Sequence, residues 1–148
     1  MDRKYRTVML SQGGRSGRIQ DEDGRLKLPL SLPPPAGADA AASAGTTPEQ
    51  LLAGALAACF EHAVRHIAKK NHLPLRGCYA ECELGLYISF DDAYRIVIQL
   101  TMHLAGALSR ADADFLLDRA REVSPMAGAL KNNVTLEIKA EIDTPVAA

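Results

Sequence analysis

TTPEQLLAGALAACFEHAVRHIAKK, residues 46–70, is the stretch from which the rest of the chain can be placed. Thr47 has the hydroxyl an N-cap needs, Pro48 suits the first helical position, and Gln50 sits where it can close a capping box with Thr47. The spacing predicts a helix from there to about Lys70, where Lys69, Lys70 and Asn71 complement the negative C-terminal end. Its first half, rich in Ala with Gly54, is apolar on every side, so it is expected to be buried with close backbone neighbours. Its second half sets Ala63, Val64 and Ile67 against Glu61, Arg65 and Lys69, an amphipathic pattern. The apolar run Leu51 to Phe60 is about half of what a bilayer span requires, which predicts a core helix rather than a membrane segment.

Upstream of this helix the pattern is strand-like. Residues 4–10 alternate loosely, Gly13-Gly14 marks a turn, and Asp23-Gly24 is a hairpin dipeptide whose return strand puts Leu26, Leu28, Leu30 and Leu32 on one face. Residues 33–45 have no period and read as a linker or flap. Downstream, residues 77–90 and 94–104 read as two strands joined at Asp91-Asp92, with Ile96, Ile98, Leu100, Met102 and Leu104 on one face. Ser109 to Val123 is an amphipathic helix capped at Ser109 and stopped by Pro125. A short turn or helix follows, and 134–142 alternates as a closing strand. The order predicts an α+β fold in one domain, residues 1–148: N-terminal β-strands, a long buried central helix, further antiparallel strands, and C-terminal helices.

Composition narrows the function classes. The chain has 148 residues, 47% hydrophobic and 24% charged, with formal net charge −1. That charge lacks the basic excess nucleic-acid binding needs. The opening residues MDRKYRTVML hold no long apolar stretch, so no secretory leader or membrane role is expected. There are three cysteines, Cys59, Cys78 and Cys82, an odd set without the spacing of a secreted disulfide framework. In one strand Cys78 and Cys82 lie about 13 Å apart, too far to bond each other. A reducing, cytoplasmic compartment is expected.

Residues 46–60, TTPEQLLAGALAACF, resemble the signature of the OsmC/Ohr family of osmotically induced and organic-hydroperoxide-resistance proteins. GGRSGR (13–18) is similar to the segment carrying that family's active-site arginine, and VSPMAGALKNNVTLEI (123–138) to its C-terminal segment. The resemblance implies an intertwined homodimer and a thiol-dependent peroxidase that acts without metal or cofactor. It makes Cys59 the peroxidatic cysteine, Arg15 its activating cation and Glu49 the carboxylate that positions the arginine. The physics is compatible: only a thiolate attacks a peroxide oxygen, and a guanidinium stays charged beside it. Ten residues of helix span about 15 Å, so Glu49 is expected to serve the Cys59 of a second copy.

The chain departs from the family pattern at Ser124, where a resolving cysteine is expected; a serine cannot close a disulfide. The resulting expectation is a one-cysteine reductase of organic or lipid hydroperoxides, recycled by an external dithiol or protein thiol, with Cys78 or Cys82 as possible substitutes for the resolving thiol. Glu61 and His62 are a second departure. Cys59, His62 and His66 share a helix face at i, i+3 and i+7, a spacing a Cys/His metal site could use, although solvent-facing histidines are the simpler reading. A dimeric binding or redox-sensing protein without turnover is the alternative from another class. His72 and His103 show no partners in the pattern and read as surface residues.

Overall fold

The computed structural model describes residues 2–32 and 45–143, and in it the chain divides into two units, Met1–Leu51 and Leu52–Ala148. The linker or flap expected at 33–45 lies, except for Gly45, outside the described residues.

The first unit holds β1 (Met9–Gln12), β2 (Arg18–Asp21) and β3 (Lys27–Pro29), an antiparallel sheet in that order. The first strand is shorter and later than the 4–10 the alternation indicates. A 3-10 turn at Gly14–Ser16 joins β1 to β2. Gly13 there has φ 83°, a left-handed conformation that penalises a side chain. At Gly17 a Cβ would stand 1.9 Å from the Gln12 carbonyl oxygen, so only glycine lets the turn close. The second hairpin turns over Glu22–Arg25, with Gly24 at φ 68°. Leu30, buried, bridges in parallel to Thr46, and Ser31 N–H donates to the Thr46 carbonyl at 2.9 Å. Met9, Leu10, Leu26 and Leu32 of this unit remain exposed.

Helix α1 runs unbroken from Pro48 to Lys70. The capping box is present: Gln50 N–H donates to the Thr47 hydroxyl at 3.1 Å and Thr47 N–H to the Gln50 side-chain oxygen at 2.9 Å, worth about 1 kcal/mol. Its other end finishes in the left-handed region at His72, φ 53°, where Leu73 N–H reaches back to the Ala68 carbonyl at 3.0 Å.

The second unit is a three-stranded sheet in the order β4 (Leu75–Ile88), β5 (Tyr94–Gly106), β6 (Thr135–Asp143), with α2 (Arg110–Val123) and α3 (Pro125–Leu130) between the last two strands. The β4–β5 hairpin is antiparallel and turns at Ser89–Ala93. The closing strand β6 joins β5 in parallel, which the α2–α3 connection makes possible because a parallel return needs a crossover of a dozen or more residues. Ile98, Leu100, Met102 and Leu104 of β5 are fully buried, as their shared face predicts, with Phe60 and Val64 of α1 and Leu116 of α2. Truncating a side chain such as Phe60 to alanine costs about 3–5 kcal/mol at a site of this kind. Arg110 donates to the Ala140 carbonyl at 3.1 Å and Arg121 to the Ile138 carbonyl at 2.8 Å, so α2 is tied to β6 by charged side chains as well as by packing.

The two halves of α1 differ from each other. From Glu61 onward the amphipathic expectation holds, with Ala63, Val64, Ile67 and Ala68 buried. In Leu51–Phe60 only Leu56 and Phe60 are buried, while Gly54 and Ala58 are exposed and the rest are half-buried. A single chain covers one side of that apolar stretch and leaves the other open. No helix of the described residues is long and apolar enough to cross a membrane.

Candidate active site

Arg15 projects from the 3-10 turn and meets Glu49 on the first turn of α1. The contact is bidentate: Nη1 donates to Oε2 at 3.0 Å and Nη2 to Oε1 at 2.5 Å. This fork-to-fork geometry fixes both planes at once. The arginine hydrogen bond holds the Glu49 carboxyl below its ordinary value; burial works against that, and Glu49's own backbone N–H, the guanidinium charge and the Thr47 hydroxyl reinforce it. The arginine side chain is 45% exposed and the carboxylate 16%, so the cation is the open member of the pair.

Cys59 lies mid-helix, half-buried and free. The structure brings it together with Ser124, 65 positions away: the Ser124 hydroxyl donates to Cys59 Sγ at 3.4 Å. Ser124 is the C-cap of α2 and the N-cap of α3, with extended backbone (φ −74°, ψ 113°) as the residue before Pro125 should have. The sequence marks this position as the one that lacks a thiol. What it did not reveal is that Ala127 N–H donates to the same hydroxyl at 3.4 Å; the Ser-Pro step, an N-cap followed by proline at the first helical position, carries that signal.

The other two thiols are placed differently. Cys78 and Cys82 lie in β4, free and half-buried against the core. Burial pushes both thiols up; for Cys78 the Arg65 guanidinium pulls partly the other way and Glu61 adds to the rise. Glu61, two residues beyond Cys59, is engaged with Arg65, whose Nε donates to it at 2.8 Å while Nη2 donates to the Cys78 carbonyl at 2.8 Å. His62 and His66 are exposed, and among the described residues no group of three or more His, Cys, Asp or Glu side chains is gathered for a metal.

His72 is exposed as expected, but His103 is not a simple surface residue. Its side chain is only 12% exposed, sandwiched between Glu81 and Glu141 at 3.4 and 3.5 Å. The Tyr79 ring stacks on it at 4.3 Å between centroids. The strand period puts it on the outer face correctly; its cross-strand neighbours then cover it. An open cleft of about 640 Å³ lies between α2, α3 and β6, floored by Ala127, Val134, Leu136 and Ile138, and Cys59 does not line it.

A family model described as OsmC-like protein matches residues 39–139. The chain belongs to the OsmC-like protein family. That span includes Glu49, Cys59 and Ser124, and Arg15 lies before it. Organic hydroperoxide resistance protein of Xanthomonas axonopodis pv. citri is 31% identical over 135 residues, 90% of this chain and 92% of the relative. Organic hydroperoxide resistance protein OhrB of Bacillus subtilis is 30% identical over 140 residues, 91% of this chain and 96% of that one. Among solved structures, an organic hydroperoxide resistance protein from Legionella pneumophila superposes with TM-score 0.85 at 33% identity, covering 95% of this chain and 99% of that one. The OhrB structure follows with TM-score 0.80 at 30% identity, over 93% and 98%. The α+β architecture is therefore that of the OsmC/Ohr proteins.

Proposed function

We propose that this protein is a thiol-dependent peroxidase that reduces organic hydroperoxides at Cys59 and is returned to its resting state by an external thiol. Family membership and relatives named for organic hydroperoxide resistance support this class of reaction. The observation that carries the finer reading is the Cys59–Ser124 contact: the group against the sulfur is a hydroxyl, not a thiol.

In this reading the Cys59 thiolate attacks the distal oxygen of ROOH. The O–O bond breaks, an S–O bond forms, and the alkoxide takes a proton to leave as ROH. Sulfur loses two electrons and becomes a sulfenic acid. Ser124 cannot condense with it, so a dithiol or protein thiol supplies the two electrons, leaving a disulfide on the reductant and releasing water. Arg15, oriented by Glu49, provides positive charge for the thiolate and for the peroxide oxygens. No metal or organic cofactor enters the cycle.

The partner copy belongs to the same proposal. Glu49 precedes Cys59 by ten residues of one unbroken helix, about 15 Å of rise. The Arg15–Glu49 fork of one chain is therefore assigned to the Cys59 of its partner in a homodimer. Exposed Met9, Leu10, Leu26 and Leu32, together with the open side of Leu51–Phe60, give such a partner apolar surface to cover. Three free thiols are in keeping with a reducing, cytoplasmic setting.

Purified protein incubated with cumene hydroperoxide and dithiothreitol tests the reading. Catalytic loss of peroxide with stoichiometric oxidation of dithiothreitol is expected, unaffected by a chelator. Binding or a single oxidation of Cys59 without turnover would replace it with the redox-sensing reading.

A further inference from the structure

Ser124 is 2% exposed, so water does not reach its hydroxyl. A buried hydroxyl needs an acceptor for its proton, and no buried side-chain nitrogen or oxygen among the described residues lacks a partner. The acceptor here is Cys59 Sγ at 3.4 Å. On its other side the oxygen receives the Ala127 N–H, at a length beyond the usual 2.7–3.2 Å range for such bonds. The oxygen therefore accepts a hydrogen bond from the backbone while its own O–H donates to sulfur. Capping of α3 alone explains the first bond and not the second.

Resting on the peroxidase reading above, we propose that Ser124 is a catalytic hydrogen-bond donor to the Cys59 sulfur, stabilising the thiolate before attack and the sulfenate after it. A hydrogen bond to an ionised acceptor is stronger than one to a neutral one, so the contact favours the reactive form of the sulfur. The other charged groups near this contact are otherwise placed. α3 (PMAGAL) carries no titratable side chain. On α2, Arg121 is turned to Ile138 and Asp118, and Glu122 pairs with Arg119. On α1, Glu61 pairs with Arg65 and His62 is exposed. Arg15, in the dimer proposed above, supplies the formal charge; Ser124 supplies a directional donor that no solvent competes for. The chain thus keeps a side chain at this position that serves the sulfur without ever bonding to it covalently.

The test uses alkylation, which does not depend on peroxide turnover. Iodoacetamide labelling of Cys59, followed by peptide mass analysis, is measured in the full-length wild type, Ser124→Ala and Ser124→Gly at neutral pH and near pH 10. Both variants lose the donor, while glycine preserves helix capping far better than alanine. At neutral pH both are expected to react about tenfold more slowly, the scale of one hydrogen bond to a charged group. Near pH 10, where an ordinary thiol is ionised in any case, all three are expected to agree within about twofold. Equal loss at both pH values would mean damaged packing and overturn the proposal. So would no loss at all, or a loss confined to Ser124→Ala, which would reduce Ser124 to a cap. Turnover that persists in variants with slowed alkylation would leave the peroxidase reading standing whatever becomes of Ser124.

Discussion

Two polar contacts in this molecule invite comparison. Arg15–Glu49 is ionic, bidentate and open on the arginine side, where the side chain is 45% exposed. Ser124–Cys59 is a single hydrogen bond from a buried serine, 2% exposed, to a half-buried sulfur. An exposed ion pair contributes little to stability, about 0–1 kcal/mol, because water and salt screen it. Its value lies in setting a guanidinium in a fixed plane. The buried contact is where a small chemical change, one oxygen for one sulfur, alters what the site can do. In the proposed mechanism the first contact presents charge and the second controls one atom.

The most damaging way to probe this pairing is Cys59→Ser. Peroxidase activity should vanish while the fold survives, since a hydroxyl of similar size replaces the thiol; circular dichroism and peroxide consumption measured together check it. Residual activity accompanied by labelling of Cys78 or Cys82 would move the chemistry into β4, where burial pushes both thiols up.

Ser124→Cys sharpens the closed contact. Wild-type protein given one equivalent of peroxide without thiol should gain roughly 16 or 32 Da as sulfur oxidises. The variant should instead lose roughly 2 Da by closing a disulfide between Cys59 and the engineered thiol, since the present side-chain oxygen already stands 3.4 Å from Sγ and a disulfide requires about 2.05 Å. It should also resist inactivation by excess peroxide. A free engineered thiol alongside over-oxidised Cys59 would show that the contact cannot close.

The open contact is tested by mixing chains. If Arg15–Glu49 serves the partner's sulfur, a mixture of Glu49→Gln and Cys59→Ser proteins should regain activity that neither has alone. With random pairing about a quarter of all sites are restored, because each heterodimer has one intact site. No recovery after confirmed subunit exchange would place both groups in one chain's site.

The smallest expected effect is on acid stability. Glu49 is held below its ordinary value mainly by the Arg15 hydrogen bond. Stability from the pair is therefore fully present above the unfolded carboxyl value and lost as pH falls through the lower folded one. Wild type should exceed Glu49→Gln in unfolding free energy near neutrality by no more than about 1 kcal/mol. Urea titrations at a series of pH values should show the two converging only below the ordinary glutamate value of about 4.3, as pH falls through the lower folded one.

Much of this was legible in the residues. Thr47-Pro48 with Gln50, Asp23-Gly24 and Ser109 each carry local chemistry that fixes an element boundary, and the β5 alternation marks the core directly. The resemblance of residues 123–138 to a family's C-terminal segment singled out Ser124, which the structure sets against Cys59. The direction of β6 was not legible, since a strand with polar and apolar residues alternating pairs either way and the crossover decides. Nor was the exposed side of Leu51–Phe60, because an apolar pattern states what should be covered and not which chain covers it. His103 was misjudged for a related reason: period places a side chain on a face, but only the register with β4 and β6 shows that Tyr79, Glu81 and Glu141 close around it.

The two arginines that α2 sends to β6 have an implication for how the protein behaves in a crowded cell. β6 ends its sheet, and a terminal strand offers spare carbonyl oxygens on which a stray extended peptide could zip. Arg110 and Arg121 occupy the oxygens of Ala140 and Ile138, so an incoming strand would first have to displace two cations. Those two carbonyls are withheld from an added strand, and removing both guanidiniums is expected to lower solubility before it lowers catalysis.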